Sequence, residues 1–237
     1  MRCRARVGTE LLAITASPLV IRRMEHHTVN PQLLRKRIAR EFFDRDPREV
    51  APELLGKLLV RRQGRTLLAG RIVEIEAYLG EGDPAAHAYS GRTPRNAVLF
   101  GPAGHAYIYF IYGMHFCANI SCMKEGEAGG VLLRALEPIV GVAEMAESRG
   151  LVLGEHPSVV KLRQIASGPG RLCQALGITR ERDNGKDLCG AKSDLWVADD
   201  GHEPARVIST PRIGIRKAVD EPLRYFIAEN RYVSGAK

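Results

Sequence analysis

A chain of 237 residues, 45% hydrophobic and 26% charged, is long and apolar enough to bury one sizeable core. Its net charge of +8 favours a polyanionic partner, because each phosphate contact releases condensed counterions. Five scattered cysteines do not make a disulfide framework and fit a reducing compartment, and no apolar run approaches the roughly 18 residues of a membrane span.

Residues 1–31 read as a leader. Met1–Arg6 is basic and Leu11–Ile21 is fairly apolar, a faint likeness to a secretion signal. Glu10, Pro18 and Arg22-Arg23 work against it, and no small-residue cleavage site follows. The expectation is a disordered or loosely attached segment, followed by one folded domain over 32–237.

Asn30-Pro31 has the form of an N-cap and first helical residue, opening a helix over Gln32–Phe43. Asp46-Pro47-Arg48-Glu49 is a second helix start, with Glu49 placed to close a capping box. That helix is expected to run to about Leu55, irregular at Pro52 and stopped by Gly56. Lys57–Arg62 reads as a strand, Gln63-Gly64-Arg65 as a turn and Thr66–Tyr78 as the return strand. Residues 80–104 read as loop, Tyr107–Ser121 as a hairpin and Val131–Leu136 as a further strand. Ile139–Glu147 is expected to be helical and Leu151–Ser158 a loop. Ser167-Gly168-Pro169-Gly170 breaks the chain before a short helix over Arg171–Leu176, closed by Gly177. Short strands and turns fill the tail. Consecutive strands without regular strand–helix alternation predict one mixed α+β domain rather than a parallel sheet.

Two segments carry candidate chemistry. In Arg71–Tyr78, Val73, Ile75 and Ala77 alternate with Glu74, Glu76 and Tyr78, so the two carboxylates and the phenol share a face. That face is either solvated, or it places a carboxylate in a cleft as a general base with Tyr78 as a ring wall. The spacing is compatible with both. Tyr107–Phe116 concentrates aromatics in a chain that is only 6% aromatic. Cross-strand pairing accounts for Phe110 and Phe116. It does not account for Tyr112-Gly113-Met114, where large apolar groups flank a glycine at the hairpin tip, as a wedge between base pairs would require. A two-residue turn at Tyr112-Gly113 would set Ile111 opposite Met114 and leave Tyr109 and Asn119 on opposite faces. A three-residue turn over Tyr112–Met114, favoured by the flexible Gly113, puts Ile111 opposite His115 and brings Tyr109, Cys117 and Asn119 to one face.

Several stretches resemble the alkyladenine (3-methyladenine) DNA glycosylase family. They are Leu54–Val60, Gly70–Gly80, Arg92–Asn96, Tyr107–Asn119, Leu132–Pro138, Ser167–Pro169, Leu172–Leu176 and Pro222–Tyr225, within a match from about Glu41 to Ser234. The resemblance implies a single α+β domain around a curved antiparallel β-sheet with a protruding β-hairpin. It implies a monofunctional glycosylase that flips alkylated or deaminated purines, such as methylated adenine, hypoxanthine or ethenoadenine, from double-stranded DNA. Glu76 corresponds to the base that activates water, and Arg134 to a residue near that water. Tyr78, His87 and Tyr109 correspond to the rings around the flipped base, Asn119 to the residue that excludes guanine's amine, and Tyr112 to the wedge. His115 stands where the human member has a tyrosine beside the DNA backbone, and an imidazole can make the same phosphate contact.

Met114, His115, Arg92, Arg95 and Arg171 are further candidates for DNA contact, Arg171 by its place after the Gly-Pro-Gly break. Glu74 and Glu76 repel each other, and Arg134 is the candidate cation that offsets this. No metal or cofactor is implied, and Lys57, the one lysine in these motifs, lies outside the pocket set, so hydrolysis without strand cleavage is expected. A monomer in the cytoplasm, nucleoid-associated in a bacterium, fits these features. The competing readings are a lesion-binding module without catalysis and an RNA-binding or RNA-modifying protein.

Overall fold

In a computed structural model, residues 30–111 and 113–235 are described; the leader up to residue 29 and Tyr112 lie outside the described residues. Asp46 begins the first helix, α1 (Pro47–Leu54), its carboxylate accepting from Arg48 N–H at 2.8 Å, with Pro47 at the first helical position. The helix ends before Gly56, as the sequence predicts.

The helix expected over Gln32–Phe43 does not form. Two 3₁₀ turns, Leu33–Arg35 and Arg40–Phe42, flank an extended segment there. Its Ile38 N–H donates to Val197 and Arg37 bridges to Ala198, so the segment runs beside a strand. The sheet supplies the partners that a helix would have found within itself, and Leu34 and Ile38 enter different apolar clusters.

β1 (Leu58–Gln63) and β2 (Thr66–Tyr78) form the predicted hairpin. β3 (Ala106–Ile111) and β4 (His115–Cys122) form the second, with Ile111 opposite His115 and Gly113 at φ 67°, which is the three-residue turn. β5 (Gly129–Val140) continues through Ile139 and Val140, which the sequence reading placed in a helix. Cross-strand pairing to Ala69 holds Val140 in the sheet, and left-handed Gly141 then starts α2 (Val142–Ser148).

α3 (Val159–Ala166) was not anticipated; Ser158 caps it, and it packs on β5. α4 (Pro169–Ala175) begins inside the Gly-Pro-Gly break and packs on β4 and β5. The one-turn α5 (Arg180–Asp183) precedes β6 (Leu195–Ala198), β7 (Val207–Thr210) and β8 (Arg224–Ile227).

The strands make one open antiparallel sheet in the order β3-β4-β5-β2-β1-β6, with β8 pairing with β2 and β7 with β8. The fold is thus the expected single α+β domain. Its main core lies on one side, where α1 to α4 cover Leu68, Ile72, Ile75, Ile120, Leu133 and Leu136.

The β2–β5 register shifts three times, between Ala69 and Gly70, between Ile72 and Glu74, and between Glu74 and Ile75. Such bulges add a residue to one strand and re-aim its neighbours. Ile72 and Ile75, an odd number apart, both reach the core, as do Leu133 and Leu136. Simple alternation would have sent Val73 there with Ile75. Instead Arg134 falls between paired positions on β5, on the face away from the core.

Candidate active site

One sheet row sets out the site. Tyr107 on β3 opposes Asn119 on β4, Asn119 opposes Leu132 on β5, Leu132 opposes Glu76 on β2, and Glu76 opposes Arg224 on β8. Paired residues point to the same face, so chemistry far apart in sequence converges above this row. There lies a cavity of about 680 Å³, lined by Tyr78, His87, Tyr109, Cys117, Asn119, Leu132 and Arg134, with His115 and Arg171 among the other contributors. The volume is of the size that takes a small flat ligand.

Glu74 and Glu76 are both fully buried, so the solvated-face reading of this strand is wrong. Two buried carboxylates need compensation. Arg134 supplies it to both, from Nε to Glu74 at 2.9 Å and from Nη1 to Glu76 at 3.1 Å. Burial works against the charge on Arg134, yet the two carboxylates outweigh it and hold its pKa above the ordinary value.

The two acids differ in their remaining partners. Glu74 accepts from Arg224 Nε at 2.7 Å and from the Ser234 N–H, which ties it to β8 and the C-terminal segment. Glu76 accepts from the Ile213 N–H at 2.8 Å on Oε1 and from the Tyr78 hydroxyl at 3.0 Å on Oε2. Burial and then the Glu76 charge push the Tyr78 phenol well above its usual range, so it stays protonated and donates. Oε2 keeps a lone pair beyond that bond.

The aromatic walls come from two elements. Tyr109 on β3 meets His87 from the loop after β2, ring centroids 4.5 Å apart and planes at 72°. Contact that close leaves no space for a third ring between them, so together they make one wall. His87 Nδ1 lies 3.0 Å from the Tyr107 hydroxyl, and Asn96 fixes the loop by donating to the carbonyls of His87 and Gly91 at 2.9 and 3.0 Å. Burial, then the nearby Arg95 charge, lowers the His87 pKa. Asn119 donates to Tyr107 O at 3.1 Å, which orients its amide.

Tyr78 carries a feature that the sequence reading missed. The Arg212 guanidinium lies 4.6 Å from the Tyr78 ring centre, forms a buried pair with Asp83 and donates to Ala77 O at 3.0 Å. Arg212 precedes Ile213, so one anchor holds both the Tyr78 ring and the amide that grips Glu76. The Pro211-Arg212-Ile213-Gly214 stretch signals a loop in the sequence, but nothing in it says what Arg212 touches.

The remaining candidates spread out around the mouth. His115 packs so closely on Gly170 that a Cβ there would come within 3.0 Å of its ring. Met114 is 69% exposed at the hairpin tip, while Tyr112 is outside the described residues. Arg92 and Arg95 are exposed and do not line the cavity, although Arg95 is near enough to act on Tyr107 and His87.

Comparison with known proteins agrees with this geometry. A profile of the methylpurine-DNA glycosylase family matches residues 41–231. A Koribacter versatilis protein that carries the inferred name 3-methyladenine DNA glycosylase is 60% identical over 200 residues, 84% of this chain and 94% of its own length. Similarly named proteins from Burkholderia cenocepacia and Methanoculleus marisnigri are 50% and 49% identical, over 84% and 81% of this chain and 91% and 96% of their own lengths.

Proposed function

Because the chain belongs to the methylpurine-DNA glycosylase family, we propose that it is a DNA repair glycosylase that extrudes a damaged purine into the 680 Å³ cavity and hydrolyses its bond to deoxyribose. The observation that carries the proposal is Glu76. It is a buried carboxylate directly behind the cavity-lining Tyr78 and Arg134, held by an amide, a hydroxyl and a guanidinium, with acceptor capacity left on Oε2.

A base within a duplex is unreachable, so it must leave the stack before any chemistry. In the cavity it stacks between Tyr78 and the His87–Tyr109 wall, an interaction of roughly 1–3 kcal/mol that tolerates many ring shapes. N-alkylated purines carry positive charge, which suits electron-rich rings. The covalent step needs one water. Its oxygen attacks C1′ and its proton passes to Glu76, while the glycosidic bond breaks and its electrons leave with the purine. A cationic alkylated purine departs neutral, and a neutral purine such as hypoxanthine takes up a proton on release. Arg134 lies against Glu76 at 3.1 Å and offsets its charge. Among the described residues no lysine lines the cavity, which supports hydrolysis without a Schiff base and without strand cleavage.

The test is single-turnover release of base from duplexes carrying one methylated adenine, hypoxanthine or ethenoadenine. Wild type should free the base and leave an intact abasic strand, and Glu76→Gln should bind the lesion without freeing it. Lesion binding by wild type without any release would make the protein a binding module instead.

A further inference from the structure

At the other end of β2 lies a second concavity, of about 650 Å³, lined by Leu67, Trp196 and four arginines: Arg35, Arg37, Arg62 and Arg65. Trp196 is its floor, 3% exposed and fixed by donating its indole N–H to Leu34 O at 2.7 Å. The guanidinium of Arg37 lies 4.2 Å from that ring's centre and that of Arg62 lies 5.9 Å away. Stacking on one indole orients planar cations but does not neutralise them.

Among the described residues the charge in this groove has no contacting counterion: none of the four arginines forms an ion pair, although Asp187 acts on Arg37 from a distance. Nearby Asp187 is held by Arg40, and Asp194 by Arg61, Arg182 and Lys186. Arg37 Nη1 is buried with no hydrogen-bond partner. Burial, and then the Arg62 charge, lower the Arg37 pKa, as expected of like charges crowded together. A concave surface with four cations, one with an unused buried donor, is built for an anion contacted at several points. The chain's own leader does not fit, because residues 1–29 carry five arginines against two glutamates.

Placement points to the occupant. Arg62 pairs with Leu67 across the β1–β2 hairpin, and Leu67, Ala69 and Arg71 lie on the side of β2 away from the main core. Past the bulge, that side carries Glu76 and Tyr78. From Leu67 to Tyr78 the strand covers roughly 35 Å. One turn of B-DNA is about 34 Å. We infer that the arginine groove is a second DNA-backbone site, gripping phosphates of the damaged duplex about one helical turn from the extruded base. The inference rests on the glycosylase reading above.

The test uses the full chain and a triple variant, Arg35→Gln, Arg62→Gln and Arg65→Gln. All three side chains are exposed and remote from the cavity, and a thermal melt should match wild type. Affinity for hypoxanthine duplexes is measured across a salt series, with the lesion central in duplexes of about 12 and about 30 base pairs, since only the longer reaches a full turn away. On the longer duplex the variant should bind on the order of tenfold more weakly, with the salt slope reduced by roughly 2–3. On the shorter one it should match wild type, and base release at saturating enzyme should be unchanged on both. Equal loss on both lengths would mean a diffuse field rather than a site and would overturn the inference. So would unchanged affinity and slope on the longer duplex, including the case where the variant instead loses binding to phosphatidylserine vesicles. Wild-type base release is read in the same experiment, so failure of the glycosylase reading is seen separately.

Discussion

Glu74 and Glu76 share one guanidinium, that of Arg134, but only Glu76 is also bonded to a side chain that lines the cavity. Glu74 spends its other bonds on Arg224 and the Ser234 amide. Under the proposed function, two acids two residues apart on one strand divide their roles by second partner, one toward stability and one toward chemistry.

Replacing the two should separate those roles. Glu74→Ala leaves Arg224 without a buried counterion and Arg134 with Glu76 alone, and should cost about 3–5 kcal/mol, read as a lower urea midpoint. Glu76→Gln keeps the shape and most of the bonds, so the midpoint should move far less. Base release by Glu76→Gln should fall at least about 100-fold while lesion affinity persists. Release near the wild-type rate would remove Glu76 from the mechanism.

The hairpin tip should govern extrusion. The three-residue turn presents exposed Met114 beside residue 112. Tyr112→Ala should weaken the flipped state by a few kcal/mol at most, because a filled gap in the stack offsets part of the unstacking. The readout is 2-aminopurine fluorescence next to the lesion, alongside single-turnover release. Equal flipping and equal release from a stable pair would show that Tyr112 is not the wedge.

Asn119→Ser should relax discrimination against guanine. The wild-type amide is oriented by its bond to Tyr107 O, and a smaller side chain makes room for an exocyclic amine. The ratio of release rates for methylated guanine and hypoxanthine should rise. If both rates fall together with the ratio fixed, Asn119 supports the hairpin and does not select the base.

His87 should titrate below 6.5, since burial and then Arg95 favour its neutral form. A His whose pKa is depressed by folding contributes stability that is present above 6.5 and lost as the pH falls through the folded value. Arg95→Gln should raise the midpoint toward 6.5 without passing it, because burial, the larger cause, remains. NMR titration of the imidazole checks this, and a midpoint above 6.5 in wild type would contradict a His87 held neutral by partial burial and Arg95.

How much of this was legible beforehand follows from the range of the forces involved. Local chemistry was readable: the Asp46-Pro47 cap, the β1–β2 hairpin with the bounds of β2, and the three-residue turn at Gly113 each depend on a few adjacent residues. Tyr78, His87, Tyr109, Asn119 and Arg134, which the family resemblance singled out, all line one cavity. Where a segment's partners lie far along the chain, local pattern failed. Gln32–Phe43 has helical composition, but the edge of β6 offered its backbone other partners. The period of two in Arg71–Tyr78 indicated a shared Glu face but not the bulges, which arise only when β5 pairs in a shifted register and set Arg134 between the acids. Whether that face met water or a cleft was likewise undetermined by sequence, because burial of Glu74 and Glu76 depends on β8, the Ile213 loop and the C-terminal segment closing over them. The sequence by itself determined which groups the protein has and how each short element begins and ends. The tertiary structure alone decided how each carboxylate is held and that Glu76 sits against the cavity-lining Tyr78 and Arg134, since that rests on hydrogen bonds and charges brought together from positions up to 160 residues apart.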